Sequence, residues 1–316
     1  MMTDADFQPV RVNTLRGDIK IPFDIYIKVA GKFIHYCRAG DSFEGARLSR
    51  LKAKKLKELF IRPEDMPPYE QYLEQSIEAA FDSKSDKSLE VRAEVIEGFQ
   101  EAAAEQFMEQ PASEVAYNHV RSAVARFVRF LSETPNSLPA ILKIENPNAS
   151  ITHHSVNVAT IAMFMTMNTE HKDSPQLPTL ALGALLHDID HMSSGVDITK
   201  PIKQMSKEEL AGYKEHPMRG AQKLQSVTFP DQLVMNVILQ HEEACDGTGF
   251  PKGLLEKDID PLVLYASTAN AYDRLVSFNK MSPKDAMKDL LIDKMGLLPL
   301  PLLQVLQNIL KNAQLI

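Results

Sequence analysis

Seven of the nine histidines fall between residues 153 and 241: His153, His154, His171, His187, His191, His216 and His241. Asp188 directly follows His187. A neighbouring imidazole and carboxylate can ligate one metal ion, and the second carboxylate oxygen can reach another. His154, His216 and His241 are available to complete such a site. This donor set suits iron, manganese, nickel or zinc. No cysteine accompanies it, which argues against a structural zinc site. The pair closes an apolar run, LALGALLHD, that would deliver both side chains to one buried place. On these residues alone two readings stay open: a ligand pair, or a helix-end aspartate beside a core histidine.

Other histidines and the methionines read more plainly. His153 and His154 point about 100° apart on a helix, so only one can face a shared site. His171 sits by an acidic, proline-containing loop and is expected to be exposed. Met163, Met165 and Met167 are expected to pack in a core.

The elements that must position these residues are mostly helices. From Leu89 onward the pattern predicts Val91–Glu109, Ser113–Ser132, Ser155–Thr169, Pro178–His187, Lys207–Lys214, Pro217–Gln225, Asp231–Glu242, Pro261–Ser277, Ser282–Lys294 and Leu302–Ala313. The second is amphipathic, with Ala116, Val120, Val124, Phe127 and Leu131 on one face. Ser206 and Glu209 form a capping-box pattern, and Ser282 stands at an N-cap position. The first eighty residues differ. Val10–Asn13, Phe23–Val29 and Lys32–Cys37 are β-branched and aromatic runs, divided by Gly17-Asp18 and Ala30-Gly31. Ser49–Leu59 and Tyr69–Phe81 have helical spacing, and 83–88 (SKSDKS) is a polar break. The expected organisation is mainly α: a small α+β accessory domain (1–82), a linker helix (83–112), and an all-helical domain (113–316).

With 316 residues, 44% of them hydrophobic, the chain is long enough for two domains with a sizeable core. The net charge of −7 disfavours a DNA or RNA polymer or an acidic membrane surface as partner. Two cysteines make no disulfide framework. The N-terminus does not read as a signal peptide, and no apolar run reaches the length of a membrane span. A soluble, cytoplasmic protein is expected.

Residues 150–286 resemble, in six ordered blocks, the HD-GYP family of bacterial HD-domain phosphohydrolases, which hydrolyse cyclic di-GMP. The blocks are His154-Ser155-Val156-Asn157-Val158, Gly183 to Asp188 with one extra residue of spacing, Lys200-Pro201 with Lys207-Glu208-Glu209, His216-Pro217-Met218-Arg219-Gly220, Asp246 to Pro251, and Asp273-Arg274-Leu275-Val276-Ser277. The first eighty residues look like the small accessory domain that often precedes this core.

The resemblance implies a binuclear centre of two divalent transition metals, with iron the first expectation and manganese or zinc the others. His154, His187 and Asp188 would hold one ion with Asn270 or Asp273; Asp188, His216, His241 and Glu242 would hold the other. Five positions depart from the family. Asp190 and His191 replace a Gly and a phosphate-steadying Lys, so His191 would protonate the leaving oxygen beside Asp188, which activates water. Glu242 replaces a second histidine, Asn270 a metal-binding Asp, and Phe250 the signature Tyr. Ser150 stands where three-metal members carry Glu, so two ions are expected. Lys214 and Lys280 are the candidates for contacting ligand phosphate. Loop 246–251 needs its glycines for turn geometry, and the resemblance adds contacts to partner proteins.

Three functions follow: a metal-dependent cyclic di-GMP phosphodiesterase, a weak or inactive sensor or adaptor that binds a nucleotide or partner protein, or a phosphohydrolase of mononucleotides.

Overall fold

A computed structural model describes residues 6–17, 19–43, 47–54, 56, 58–146, 149–225, 227 and 230–316. The chain divides into two compact units, 1–102 and 103–316. It is mainly helical, with one small sheet near the N-terminus.

The first unit contains strands β1 (Gln8–Arg11), β2 (Ile25–Val29), β3 (Lys32–Cys37) and β4 (Glu58–Ile61), and helices α1 (Arg47–Ala53) and α2 (Met66–Phe81). The strands form an antiparallel sheet in the order β1-β4-β2-β3. Ala30 and Gly31, at φ 48° and 77°, make the two-residue turn between β2 and β3. Its core is apolar, built on Ile21, Phe23, Ile25, Phe43, Leu59 and Ile61. The rings of Tyr69 and Tyr72 meet Phe23 edge-on at 5.4 and 5.5 Å. Their hydroxyls serve polar groups: Tyr69 bonds the Thr14 hydroxyl, and Tyr72 accepts from the Arg16 N–H.

The spacing of Leu51, Leu56 and Leu59 predicts one helix over Ser49–Leu59; the chain instead makes α1 and then β4. Period-two burial decides it. Leu59 and Ile61 point into the core while β4 pairs with both β1 and β2. Pairing to two neighbours outweighs the local helical spacing.

The second unit is a helical bundle, entered through α3 (Leu89–Glu109), within which the division falls. It comprises α4 (Glu114–Glu133), α5 (Ser137–Leu142), α6 (Ile151–Met167), α7 (Leu177–Leu186), α8 (Lys207–Lys214), α9 (His216–Leu224), α10 (Gln232–Gln240), α11 (Val263–Ser277), α12 (Pro283–Asp293) and α13 (Leu300–Asn312). Helix α5 occupies a stretch to which the sequence pattern assigns no element. All five apolar positions expected on α4 are buried, and Ser113 caps it. Ser206 and Glu209 form the full capping box of α8.

Helix α6 packs on α7 and α11, and α7 on α10. α6 is buried on every side from Thr152 to Thr166. Its threonines are satisfied locally: Thr160 and Thr166 donate to the carbonyls of Val156 and Ala162. α7 is apolar all round, as a central helix must be. Gly183 lets α10 approach it closely, because a Cβ there would stand 2.8 Å from Val237. α6, α7, α10 and α11 therefore form a rigid frame around whatever polar groups they enclose.

Candidate metal centre

Into this frame α7 delivers His187 and Asp188, just past its last turn, and a 3₁₀ turn (Ile189–Met192) follows with His191. α6 adds His154 one turn from its start, α9 begins with His216, α10 ends at His241, and α11 presents Asn270 and Asp273. All are buried.

The two oxygens of Asp188 face different partners. Oδ2 lies 3.5 Å from His187 Nε2 and 3.9 Å from His154 Nε2. Oδ1 lies 3.4, 3.6 and 3.8 Å from the Nε2 atoms of His216, His241 and His191. Five imidazoles thus turn the same nitrogen toward one carboxylate. Neither Asp188 oxygen has a hydrogen-bond partner, nor has Nε2 of His187 or of His191. Buried polar atoms left bare are costly unless something else satisfies them. Around Asp188, three groups of the described residues have donor atoms within 4.8 Å of one another: His154/His187/Asp188, Asp188/His191/His216 and His216/His241/Glu242. The donor set and the orphaned atoms fit divalent metals.

The opposite nitrogens explain the common aim. Nδ1 of His187, His216 and His241 lies 2.7, 2.7 and 3.0 Å from the carbonyls of Ala184, Tyr213 and Ile238, each three residues earlier. Nδ1 of His154 lies 2.7 Å from Asp273 Oδ2. A histidine that donates from Nδ1 keeps Nε2 bare for a metal, and a carboxylate partner makes that nitrogen more basic.

Asn270 and Asp273 therefore sit on opposite sides of His154. Asn270 Oδ1 lies 3.1 Å from His154 Nε2, on the Asp188 side. Asp273 sits behind the ring and also accepts from Asn157 and Ser277. Glu242 accepts from the Tyr213 hydroxyl and from the Asn270 amide. Ser150 caps α6, its hydroxyl accepting from the His153 N–H. His153 is buried but belongs to none of the three groups around Asp188. The two candidate lysines are exposed: Lys280 Nζ donates to the Asn146 carbonyl, and Lys214 Nζ stands 5.7 Å from the Phe250 ring.

Burial dominates the protonation states. It pushes His187 down to about 3, against the attraction of Asp188, and likewise lowers His191 and His216. Burial would raise Asp188, but the surrounding histidines hold it well below the usual carboxylate range. At His241 the Asp188 contact overcomes burial and the pKa rises. The metal-free cluster is thus one carboxylate among mostly neutral imidazoles, the protonation state that ligands require.

Three residues without a role in the sequence reading belong to this site. Tyr213 is fully buried; its ring stacks on His191 at 5.6 Å and lies 4.9 Å from His216. Arg274 places its guanidinium 5.1 Å from the Tyr213 ring. Its position four residues after Asn270 was the available signal, because i and i+4 share a helix face. Buried Glu243 accepts from the N–H groups of Lys252 and Leu254 and ties the segment just after loop 246–251 to the end of α10. In that loop Gly249 approaches the backbone so closely that a Cβ would lie 2.2 Å from the Ala244 nitrogen. Phe250 packs its ring 6.1 Å from that of His216.

The HD domain family model matches residues 138–293, the stretch that holds these residues. The chain is 26% identical over 186 residues to the cyclic di-GMP phosphodiesterase PA4108 of Pseudomonas aeruginosa, covering 59% of this chain and 43% of that protein. It is 30% identical over 125 residues to the cyclic di-GMP phosphodiesterase PdeB of Borreliella burgdorferi, covering 39% of this chain and 32% of that one. It therefore spans less than half the length of these curated relatives. A solved structure, Bd1817, described as an HDG"Y"P protein from Bdellovibrio bacteriovorus, matches 97% of this chain and 100% of its own at 44% identity and a TM-score of 0.89. Among the described residues no helix is long and apolar enough to cross a membrane. The chain belongs to the HD-domain family, as an HD-GYP protein.

Proposed function

We propose that the helical unit is a two-metal phosphodiesterase for cyclic di-GMP. The observation that carries this is the division of Asp188, with His154 and His187 at one oxygen and His191, His216 and His241 at the other. A carboxylate so placed can bridge two ions. In this reading Asn270 completes the first set and Glu242 the second. Asp273 is a positioning residue that orients His154. His191, kept neutral by burial and aimed at Asp188, serves better as a ligand than as the proton donor that its place in the sequence suggests.

Two bound divalent ions, iron or manganese first among them, would supply Lewis-acid polarisation of a phosphodiester and activation of water. The chain's own contributions are clear without them. Asp188 and Glu242 fix negative charge on the floor of the site. Tyr213 and Phe250 wall it and exclude water, and Tyr213 holds Glu242 in place through its hydroxyl. Loop 246–251, tied down just beyond its end by Glu243, offers an ordered surface to a partner protein.

A second reading, a sensor that binds cyclic di-GMP without turning it over, draws on Phe250, which has no hydroxyl to offer a substrate. One experiment separates the two: single-turnover incubation of the manganese- or iron-loaded protein with cyclic di-GMP. We expect a linear dinucleotide, absent with Asp188→Ala. Binding without cleavage selects the sensor. Cleavage confined to a panel of mononucleotides would assign the third function instead. A protein that takes up no metal refutes the binuclear reading.

A further inference from the structure

The site contains a cation that neither the motif pattern nor the ligand sets employ. Arg274 leaves α11 on the face shared with Asn270, four residues earlier. Its guanidinium stands 5.1 Å from the Tyr213 ring and 5.7 Å from that of Phe278. Those two rings abut different halves of the centre. Tyr213 lies 4.9 Å from His216, on the Oδ1 side, and Phe278 lies 4.8 Å from His154, on the Oδ2 side. The guanidinium therefore stands by two rings that border different halves of the centre.

Its charge is secure. Burial works against it, but Tyr213, Glu242 and Asp188 outweigh burial and raise its pKa. Yet Nη1 is buried and has no hydrogen-bond partner. A guanidinium keeps five N–H donors, and a buried one left bare is a cost that a ligand can remove. The metal-free site offers Asp188 and Glu242 as counter-charges. Two divalent ions would reverse that balance and place a third cation beside them. That arrangement is favourable only when an anion lies between the guanidinium and the ions.

We propose that Arg274 is the phosphate-binding residue of this centre, donating from Nη1 to a non-bridging oxygen of the scissile phosphodiester. The assignment rests on the two-metal reading above. It gives Arg274 the role for which Lys214 and Lys280 were the sequence candidates. Those lysines are exposed, whereas Arg274 lies against the rings that wall the site. Guanidinium geometry also suits a phosphate, since its planar fork matches two oxygens.

The test uses the full chain loaded with manganese, and inorganic phosphate as the probe. Metal content is measured first; phosphate affinity then follows by calorimetry for the wild type, Arg274→Met, Arg274→Gln and Arg274→Lys. Methionine keeps the apolar contact with Tyr213 and Phe278, glutamine keeps a planar donor, and both remove the charge. We expect both uncharged variants to hold two ions and to bind phosphate about 10- to 100-fold more weakly. Lysine should restore part of the loss. Wild-type affinity in either uncharged variant that holds its ions overturns the assignment, as does a loaded wild type that does not bind phosphate. If neither uncharged variant retains metal, Arg274 is structural and the assignment fails. A wild type that takes up no metal is a separate failure, of the binuclear reading itself, recorded before phosphate is added.

Discussion

The two faces of Asp188 are unequal. On the Oδ2 side stand two histidines and a neutral amide, His154, His187 and Asn270. On the Oδ1 side stand three histidines, His191, His216 and His241, with the carboxylate of Glu242 within ligand distance of two of them. More donors and an extra negative charge favour a tighter ion on the Oδ1 side. The Oδ2 side has its own compensation, because Asp273 behind His154 makes that imidazole a better donor. In the two-metal reading one carboxylate would serve two positions of different strength, and the weaker one would depend on a residue that touches no ion.

That contrast can be broken in graded steps. Asp188→Ala should have the largest effect, lowering both affinities by more than about 100-fold, with elemental analysis reading close to zero ions per chain. Retention of both ions would end the idea of a shared bridge. His216→Ala and His187→Ala should each remove one ion, the first from the stronger position and the second from the weaker. Titration of each variant with manganese should then leave a single binding phase of the opposite kind. If either variant empties both positions, the faces are not independent.

Asp273→Asn should weaken only the Oδ2-side ion, by about 10- to 100-fold, as loss of an outer-shell partner does. Asn270→Asp should move the same ion the other way and narrow the gap between the faces. The mildest effect is on stability without metal. His187, His191 and His216 have folded-state pKa values below their unfolded value of about 6.5, so the unfolded chain binds more protons below that pH. Their contribution is complete above pH 6.5 and falls as the pH drops toward the folded values, about 3 for His187. His241, with a raised pKa, acts in the opposite sense. Denaturant titrations of the metal-free protein between pH 7 and pH 5 should show the net loss, and saturating manganese should deepen the dependence, since protons then compete with metal.

The sequence carried the helical frame well, because α4, α7 and α8 declare themselves through period, apolarity and capping. Histidine placement pointed to the side chains that the fold gathers around Asp188. β4 was hidden, since its fate depends on strands distant in the chain. The choice between Asn270 and Asp273 was equally hidden. Helical spacing places both near His154, and only three-dimensional placement shows which ring nitrogen each one meets. Tyr213 and Arg274 belong to residue types that usually lie in cores or on surfaces, and they come together only through the packing of α8 against the later helices.

The bonds from His187, His216 and His241 back to carbonyls three residues earlier do more than aim these rings. Each carbonyl lies in the last turn of α7, α8 or α10, where the regular helical ladder runs out of backbone donors. An imidazole beside each of these helix ends therefore holds a carbonyl there with one nitrogen and turns the other toward Asp188. Folding immobilises these imidazoles before any ion arrives, so an incoming ion need not restrict their rotation and more of its attraction goes into affinity. The arrangement also ties two kinds of failure together: a substitution that removes one of these histidines also unfastens the helix end that held it.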